Sequence, residues 1–317
     1  MSSPKDPLLE NEAIDRTYYA TGVLLDTTDF IAEQTYHRGR LARALSTLHG
    51  VGTAAGLRVE HKGHNKPIQE GELVVHPGLA LDPLGRLVEV TTTSCIRMQR
   101  WYEGYAPDHL KRRPKHLYGI KNTDGMPDLG VVADLFVRFR VYERGWTPAL
   151  AAGLYDATDA VSPARLRDGY ELRLVPRLEA LVVDGQEKPL PTFPTGPWPM
   201  PTNGTPWPGD TGDLPTRRKA LKNAILDAWH EGGRPALLDR LWALGGFVPR
   251  ELLYDPSVPG SKVPDPSWVF LARVVIGVTD SDDSTTGRPE RTNTVAVDNE
   301  MRPFAVTVAA LANWLGI

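Results

Sequence analysis

Residues 18–60 read YYATGVLLDTTDFIAEQTYHRGRLARALSTLHGVGTAAGLRVE, and residues 74–90 read VVHPGLALDPLGRLVEV. The first stretch predicts a long helix that begins near Asp26–Asp29, where four short polar residues offer N-caps, and ends at His49-Gly50. The second stretch predicts two strands joined by the turn Asp82–Gly85, because proline and glycine occupy favoured turn positions. Together the two stretches predict a helix packed on an antiparallel sheet.

The predicted helix has two different faces. One face carries a mainly apolar stripe at helical spacing, formed by Phe30, Gln34, His37, Leu41, Leu45 and Leu48. The other face carries basic side chains, which suit either water or the carboxylates of a partner. We therefore predict that Arg38, Arg40 and Arg43 are contact residues.

Several later segments are predicted to be strands, and among them Asp134–Tyr142 alternates cleanly between apolar and polar residues. They are Asp134–Tyr142, Tyr170–Leu174, Leu178–Val183, Ser267–Val278 and Thr294–Asp298. The sequence therefore predicts an α+β fold in which an N-terminal helix packs on an antiparallel β-sheet. A proline-rich loop and a helical hairpin are predicted to form an insertion in it.

Changes in composition divide the chain into five predicted segments. The segments are a polar N-terminal arm at 1–16, a helix-plus-sheet core domain at 17–184, a Pro/Trp-rich loop at 185–216, a helical-hairpin insertion at 217–255, and C-terminal strands and a helix that return to the core at 263–317.

The Pro/Trp-rich loop is the most unusual of these segments. It contains nine prolines between Pro189 and Pro215, which excludes regular ladders and favours an extended surface segment. Trp198 and Trp207 lie within it. These two side chains either pack on the protein's own surface or are presented to a partner, and both are candidate contact residues.

The overall composition argues against two classes of function, nucleic-acid binding and membrane insertion. The chain has 317 residues, 41 % apolar and 24 % charged, with a formal net charge of −3 and no long basic run. Nucleic acid is therefore not an expected partner. No run of 18 apolar residues occurs, so we expect no direct membrane insertion. The lone Cys95 and the absence of an N-terminal apolar segment lead us to expect a cytoplasmic protein.

No catalytic pattern is evident. His49, His61, His64 and His76 raise the question of a zinc site, but no HExxH motif occurs and an exposed hairpin tip is favoured. The glycines that follow the first helix come after a helix rather than a strand, so they do not form a dinucleotide loop. We predict a protein that is not an enzyme, with no catalytic residue, cofactor or metal ligand.

A set of motifs carries a family resemblance. It comprises YYxTGxLLxxxDFxxEQxYH from Tyr18, LHGxGxxxGLxV from Leu48, VxPGLALDxxGRxxxV from Val75, and the later pieces Arg165–Leu172, Leu271–Val274 and Val297–Asn299. The set resembles a little-characterised family of bacterial proteins encoded beside phage-tail-like contractile injection systems. Relatives often have cysteines in the segment Ala149–Ser162, whereas this chain has none, so no metal or disulfide role is carried over.

The resemblance implies a structural subunit of the injection particle, at the baseplate or around the spike. Its partners would be baseplate, spike, tube or sheath proteins, and subunits of such particles form rings of three or six copies. Two alternatives remain open. One is a carbohydrate- or receptor-binding tail module whose Trp198 and Trp207 stack on sugars. The other is a metal-dependent hydrolase built on the four histidines.

Overall fold

A computed structural model describes residues 15–63, 71–120, 122–148, 161–178, 181–183, 186–190 and 267–305. These residues form two α-helices and thirteen strands. In chain order they are α1 (Thr27–His49), β1 (Gly52–Gly56), β2 (Val59–Lys62), β3 (Glu72–Val75), β4 (Gly78–Leu81), β5 (Leu87–Val90), β6 (Ser94–Arg97), α2 (Met98–Glu103), β7 (Arg112–Pro114), β8 (Leu129–Pro148), β9 (Val161–Pro176), β10 (Leu181–Val183), β11 (Gln186–Lys188), β12 (Trp268–Asp282) and β13 (Pro289–Asp298).

A five-stranded antiparallel sheet lies at the centre of the fold. Its order is β13-β12-β8-β7, and β9 pairs with β8 along the same edge as β7. Strand β12 lies between β13 and β8 and is buried without interruption from Trp268 to Val278. A continuous apolar run such as SWVFLARVVIGV is what a strand buried on both faces requires.

Two three-stranded antiparallel sheets, β1-β4-β5 and β2-β3-β6, complete the β-structure around the core, and β10 and β11 form a separate two-stranded ladder. The main apolar cluster draws on both small sheets and on the central one. Its fully buried members include Leu57, Leu73, Val88, Leu135 and Val274.

The last described residues return to the first hairpin. Asn299 accepts a hydrogen bond from the backbone nitrogen of Val59 and donates one to the carbonyl of Val59, each at 2.9 Å. Arg302 donates to the carbonyl of Leu57 at 2.7 Å, and Thr53 forms an isolated parallel bridge with Phe304. Sequence-distant segments are thereby joined across the core.

The predicted α+β class is wrong. Of the described residues, 49 % are strand and 18 % helix, so the structure is mostly β. Strands β8 and β9 are much longer than their alternating patterns predicted. Helix α1 does not lie along any of the described sheets, and among its described side chains only Ala42 is buried. An amphipathic pattern predicts a helix but does not guarantee that the same chain covers its apolar face.

Some predicted segments lie outside the described residues. They are most of the N-terminal arm, the Pro/Trp-rich loop from residue 191 onward, the whole helical hairpin at 217–255, and the C-terminal helix from residue 306. The helical-hairpin insertion is therefore not part of the architecture given above.

Candidate functional site

Helix α1 begins with a capping box. The Asp26 carboxylate accepts hydrogen bonds from the backbone nitrogens of Thr28 at 2.7 Å and Asp29 at 3.3 Å. The Asp29 carboxylate accepts one from the backbone nitrogen of Asp26 at 2.9 Å. The Thr28 hydroxyl and these backbone donors hold the pKa of Asp26 below its ordinary value. The helix therefore begins at Thr27, within the predicted window.

The second half of α1 rests on a tight turn between β4 and β5. Gly85 lies so close to the helix that an added Cβ would be 1.8 Å from the carbonyl oxygen of Ala42. The buried carboxylate of Asp82 shapes this turn by accepting hydrogen bonds from the backbone nitrogens of Leu84 and Arg86 and from the Arg86 guanidinium. A narrow backbone contact thus anchors α1.

The rest of the apolar stripe on α1 is largely exposed to solvent. Phe30 is 52 % exposed, Leu41 60 % and Leu48 71 %, and Leu24, just before the helix, is 95 % exposed. We call Leu24, Phe30, Ile31, Leu41 and Leu48 the helix surface. Apolar side chains concentrated on one exposed element mark an interaction site more often than scattered ones do.

The structure describes three of the five predicted contact residues. Arg38, Arg40 and Arg43 are exposed on α1. Trp198 and Trp207 lie outside the described residues. On the same helix the Glu33 carboxylate accepts a hydrogen bond from the Tyr19 hydroxyl, and this bond raises the pKa of Tyr19. The preceding segment is thereby fastened to the first turns of α1.

A second exposed surface is the outer half of the β8–β9 hairpin. Its side chains project beyond the other strands, and Tyr142, Trp146 and Leu166 are each at least half exposed. Sequence reasoning missed this feature because the predicted strand ended at Tyr142. The residues that follow, Glu143–Pro148, extend β8 beyond the end of β12. Among the described strands only β9 pairs with them.

A cavity of about 690 Å³ lies between β5 and the base of this outer hairpin. The Tyr142 hydroxyl donates to the carbonyl of Tyr170 at 2.9 Å, and the Tyr170 hydroxyl lies 2.6 Å from Ser94 Oγ. The lining combines aromatic faces with charged groups, which suits a polar ligand. It is formed by Leu79, Leu87, Glu89, Thr91, Tyr142, Glu143, Arg144, Arg167, Asp168, Gly169 and Tyr170.

The histidines proposed as metal ligands are not brought together among the described residues. His76 Nε2 lies 3.1 Å from Glu60 Oε2, and this hydrogen bond lowers the pKa of Glu60. His64 lies outside the described residues. In the part of the chain that the structure describes, no group of three or more His, Cys, Asp or Glu could hold a metal ion.

Several of the motif residues have structural contacts. Arg273, in the Leu271–Val274 piece, is fully buried and binds both carboxylate oxygens of Asp134. Gly52 leaves no room for a side chain, since a Cβ there would be 2.3 Å from the carbonyl oxygen of Pro303. Asn299 holds both backbone polar groups of Val59. At these positions the motif residues stabilise the fold.

No family model matches the chain, and no curated protein matches it. Within the described residues, no helix combines the length and the apolar character needed to cross a membrane.

Proposed function

We propose that this chain is a structural subunit of a phage-tail-like contractile injection particle, assembled in the cytoplasm, where it makes protein–protein contacts at the baseplate or around the spike. The observation that carries the proposal is the exposed helix surface on α1. A capped helix of 23 residues whose apolar stripe faces solvent leaves much apolar area uncovered. Another subunit that covered this stripe would bury that area.

The way α1 is attached supports the same role. The turn beside Ala42 is held by hydrogen bonds between Asp82 and Arg86, which are both buried. Ala42 is the one buried residue among the described side chains of α1, so most of the apolar stripe is presented outward. The injection particle enters this proposal through the resemblance of the motif set, whose pieces lie between Tyr18 and Leu172 and between Leu271 and Asn299. The described contacts of the motif residues are structural.

The test is recovery of the tagged protein from its native cells, with mass spectrometry and negative-stain imaging of what accompanies it. We expect sheath, tube and baseplate proteins on rod-shaped particles. A lysate that contains intact particles but yields the tagged chain without particle proteins would overturn the proposal.

The cavity beside β5 favours a second candidate, a carbohydrate- or receptor-binding tail module. Sugars are bound by aromatic faces combined with hydrogen-bonding carboxylates, and Tyr142, Tyr170, Glu89 and Asp168 provide both around one cavity. Glycan-array binding by the wild type that is lost in Glu89→Gln would support this candidate. Equal binding by the two proteins, or none by either, would exclude the cavity as a sugar site.

A further inference from the structure

Strand β9 is an edge strand of the central sheet. On one side it pairs with β8 from Val161 to Pro176, and none of the described strands pairs with its other side. The register of this ladder does not shift along its length, so no bulge turns the edge away. A long unpaired edge presents backbone N–H and C=O groups with which another strand can pair.

Two sets of contacts show which backbone groups of β9 point toward β8 and which point outward. The backbone nitrogen of Arg177, just after β9, donates to the carbonyl of Val132 on β8 at 2.8 Å. The carbonyl of Leu174 instead accepts hydrogen bonds from Trp101 Nε1 at 2.8 Å and from the Tyr105 hydroxyl at 3.3 Å. Because successive residues of a strand direct their backbone groups to opposite sides, the odd-numbered residues of β9 face β8 and the even-numbered residues face outward.

Side chains of the same chain cover only the inner part of this outward side. The carbonyl of Leu174 is occupied as described, and the carbonyl of Tyr170 accepts a hydrogen bond from the Tyr142 hydroxyl at 2.9 Å. Further along β9, the outward residues are exposed and their backbone groups have no partner in the part of the chain that the structure describes. These outward residues are Ala164, Leu166 and Asp168. We call Ala164–Asp168 the open edge.

The side chains of the open edge alternate between two faces of the ribbon. Arg165 and Arg167 lie on one face. Leu166 and Asp168 lie on the other, together with Glu143 of β8, which is directly opposite Leu166. An added strand therefore meets arginines on one face, and an apolar residue and a carboxylate on the other.

A second copy does not fit the open edge over its whole length. In an antiparallel pair, outward residues lie opposite outward residues, and full overlap of two open edges places the two-fold axis at Leu166. Arg165 of each copy would then lie directly opposite Arg167 of the other, and like charges in that position destabilise a ladder. The strand that fits has a different sequence, with carboxylates opposite Arg165 and Arg167.

We propose that the open edge receives an extended segment of a neighbouring, different subunit, which adds a strand to β9. Main-chain hydrogen bonds to the outward residues provide affinity, and carboxylates opposite Arg165 and Arg167 fix the register. The added strand also stabilises a two-stranded ribbon that is marginally stable by itself. The inference rests on the proposed function in treating the chain as an assembling subunit, and it names the edge through which a neighbour is joined.

The test uses a probe peptide that complements the open edge in antiparallel register, Lys-Glu-Val-Glu-Val-Thr. Its two glutamates lie opposite Arg167 and Arg165, and its two valines lie opposite Leu166 and Ala164. We expect the full chain to bind the probe in calorimetry, and the amide protons of Leu166 and Asp168 to exchange more slowly in the complex. A probe with both valine nitrogens methylated cannot donate to β9 and should bind at least about tenfold more weakly.

Leu166→Pro is the variant that tests the backbone edge. It removes an N–H that points away from β8, and an edge strand accepts proline at such a position. This variant should bind the probe at least about tenfold more weakly. Leu166→Val keeps the N–H, so it is the matched control and should bind like the wild type. Unaltered circular dichroism and melting temperature show that each variant folds.

The charge of the two arginines is tested separately. Arg165→Glu/Arg167→Glu should weaken binding of the probe and favour a peptide in which lysines replace the two glutamates. If Leu166→Pro fails to fold, the wild type decides the matter through the methylated probe.

Several outcomes overturn the strand-addition site. They are no binding of the probe at millimolar concentration, equal binding by the two Leu166 variants, and equal binding of the methylated and unmethylated probes. Association of the wild type with itself that Leu166→Pro abolishes would assign the edge to a second copy instead. Glycan binding without probe binding would leave only the neighbouring cavity as a site.

These outcomes are distinct from failure of the proposed function. A wild type that binds the probe but is recovered from its native cells without particle proteins keeps the strand-addition site and loses the injection particle. Recovery with particle proteins that is equal for Leu166→Pro and Leu166→Val, without binding of the probe, keeps the particle and overturns the site.

Discussion

Asp134 on β8 and Arg273 on β12 lie 139 positions apart in sequence and form a bidentate ion pair in the core, with Arg273 Nε 2.7 Å from one carboxylate oxygen and Nη2 3.0 Å from the other. Both side chains are fully buried. Arg177 also donates to Asp134 at 2.7 Å, and Arg273 donates further to the carbonyl of Tyr118. One carboxylate therefore joins the central strands to the segment after β9.

Removing the charge of Asp134 should be strongly destabilising. Asp134→Asn leaves two buried guanidinium groups without their anion, and such a loss costs about 3–5 kcal/mol of unfolding free energy. Urea denaturation measures the change, with the exposed Asp108→Asn as the matched control. A loss under about 1 kcal/mol would show that the ion pair is not the link between these strands.

The same carboxylate predicts an acid dependence of stability. Burial alone would raise the pKa of Asp134, but Arg273 and Arg177 outweigh it and lower the pKa below its ordinary value of 3.8. A group with a depressed folded pKa stabilises fully above its unfolded pKa, and that stabilisation is lost as pH falls through the folded value. The difference in unfolding free energy between wild type and Asp134→Asn should therefore be constant above about pH 5 and shrink below about pH 4. A difference that does not change with pH would contradict this.

Gly85→Ala should loosen α1. Gly85 has a φ of +82° and faces the Ala42 carbonyl at a distance that no side chain can occupy. Gly125→Ala is a suitable control, because Gly125 has a φ of +70° and open space around it. The control should lose only the backbone strain of about 1–2 kcal/mol. Gly85→Ala should lose more and increase amide exchange in α1, and equal effects would argue against the helix contact.

Asn299→Ala should separate the last described segment from the first hairpin. It removes both hydrogen bonds to the backbone of Val59, a residue that is only 1 % exposed. Leaving two buried backbone groups unpaired costs about 2–4 kcal/mol. Thermal unfolding measures this, and Asn122→Ala in an exposed loop should change the midpoint little. Similar midpoints for the two variants would show that water replaces the lost bonds.

Substitutions on the helix surface should weaken assembly of the particle without changing the stability of the fold. Leu41→Ser/Leu48→Ser changes exposed side chains, so the unfolding free energy should change by no more than about 1 kcal/mol. Recovery of particle proteins with the tagged chain should nevertheless fall severalfold. Arg38→Ala/Arg40→Ala/Arg43→Ala tests the basic side chains of α1, and Arg97→Ser/Arg100→Ser is the control. Full recovery with both α1 variants would remove this helix as a contact surface.

Local patterns in the sequence were sufficient for the bounds of α1 and for the turn at Asp82–Gly85, because capping, helical spacing and turn residues act over a few positions. They were also sufficient to place strands within β8, β12 and β13. They failed for the strand lengths and the fold class, since the pattern of β8 did not predict that Glu143–Pro148 would remain paired. How far a strand extends depends on the neighbouring strands that pair with it.

By itself the sequence determined helix α1, the turn at Asp82–Gly85 and the central parts of β8, β12 and β13, since those preferences arise from neighbouring residues and from the pattern of apolar and polar side chains. Only the tertiary structure decided that the stripe of α1 faces solvent and that Asp134 meets Arg273. Burial and charge pairing depend on which distant segments pack together. That choice is made by the free energy of the whole chain.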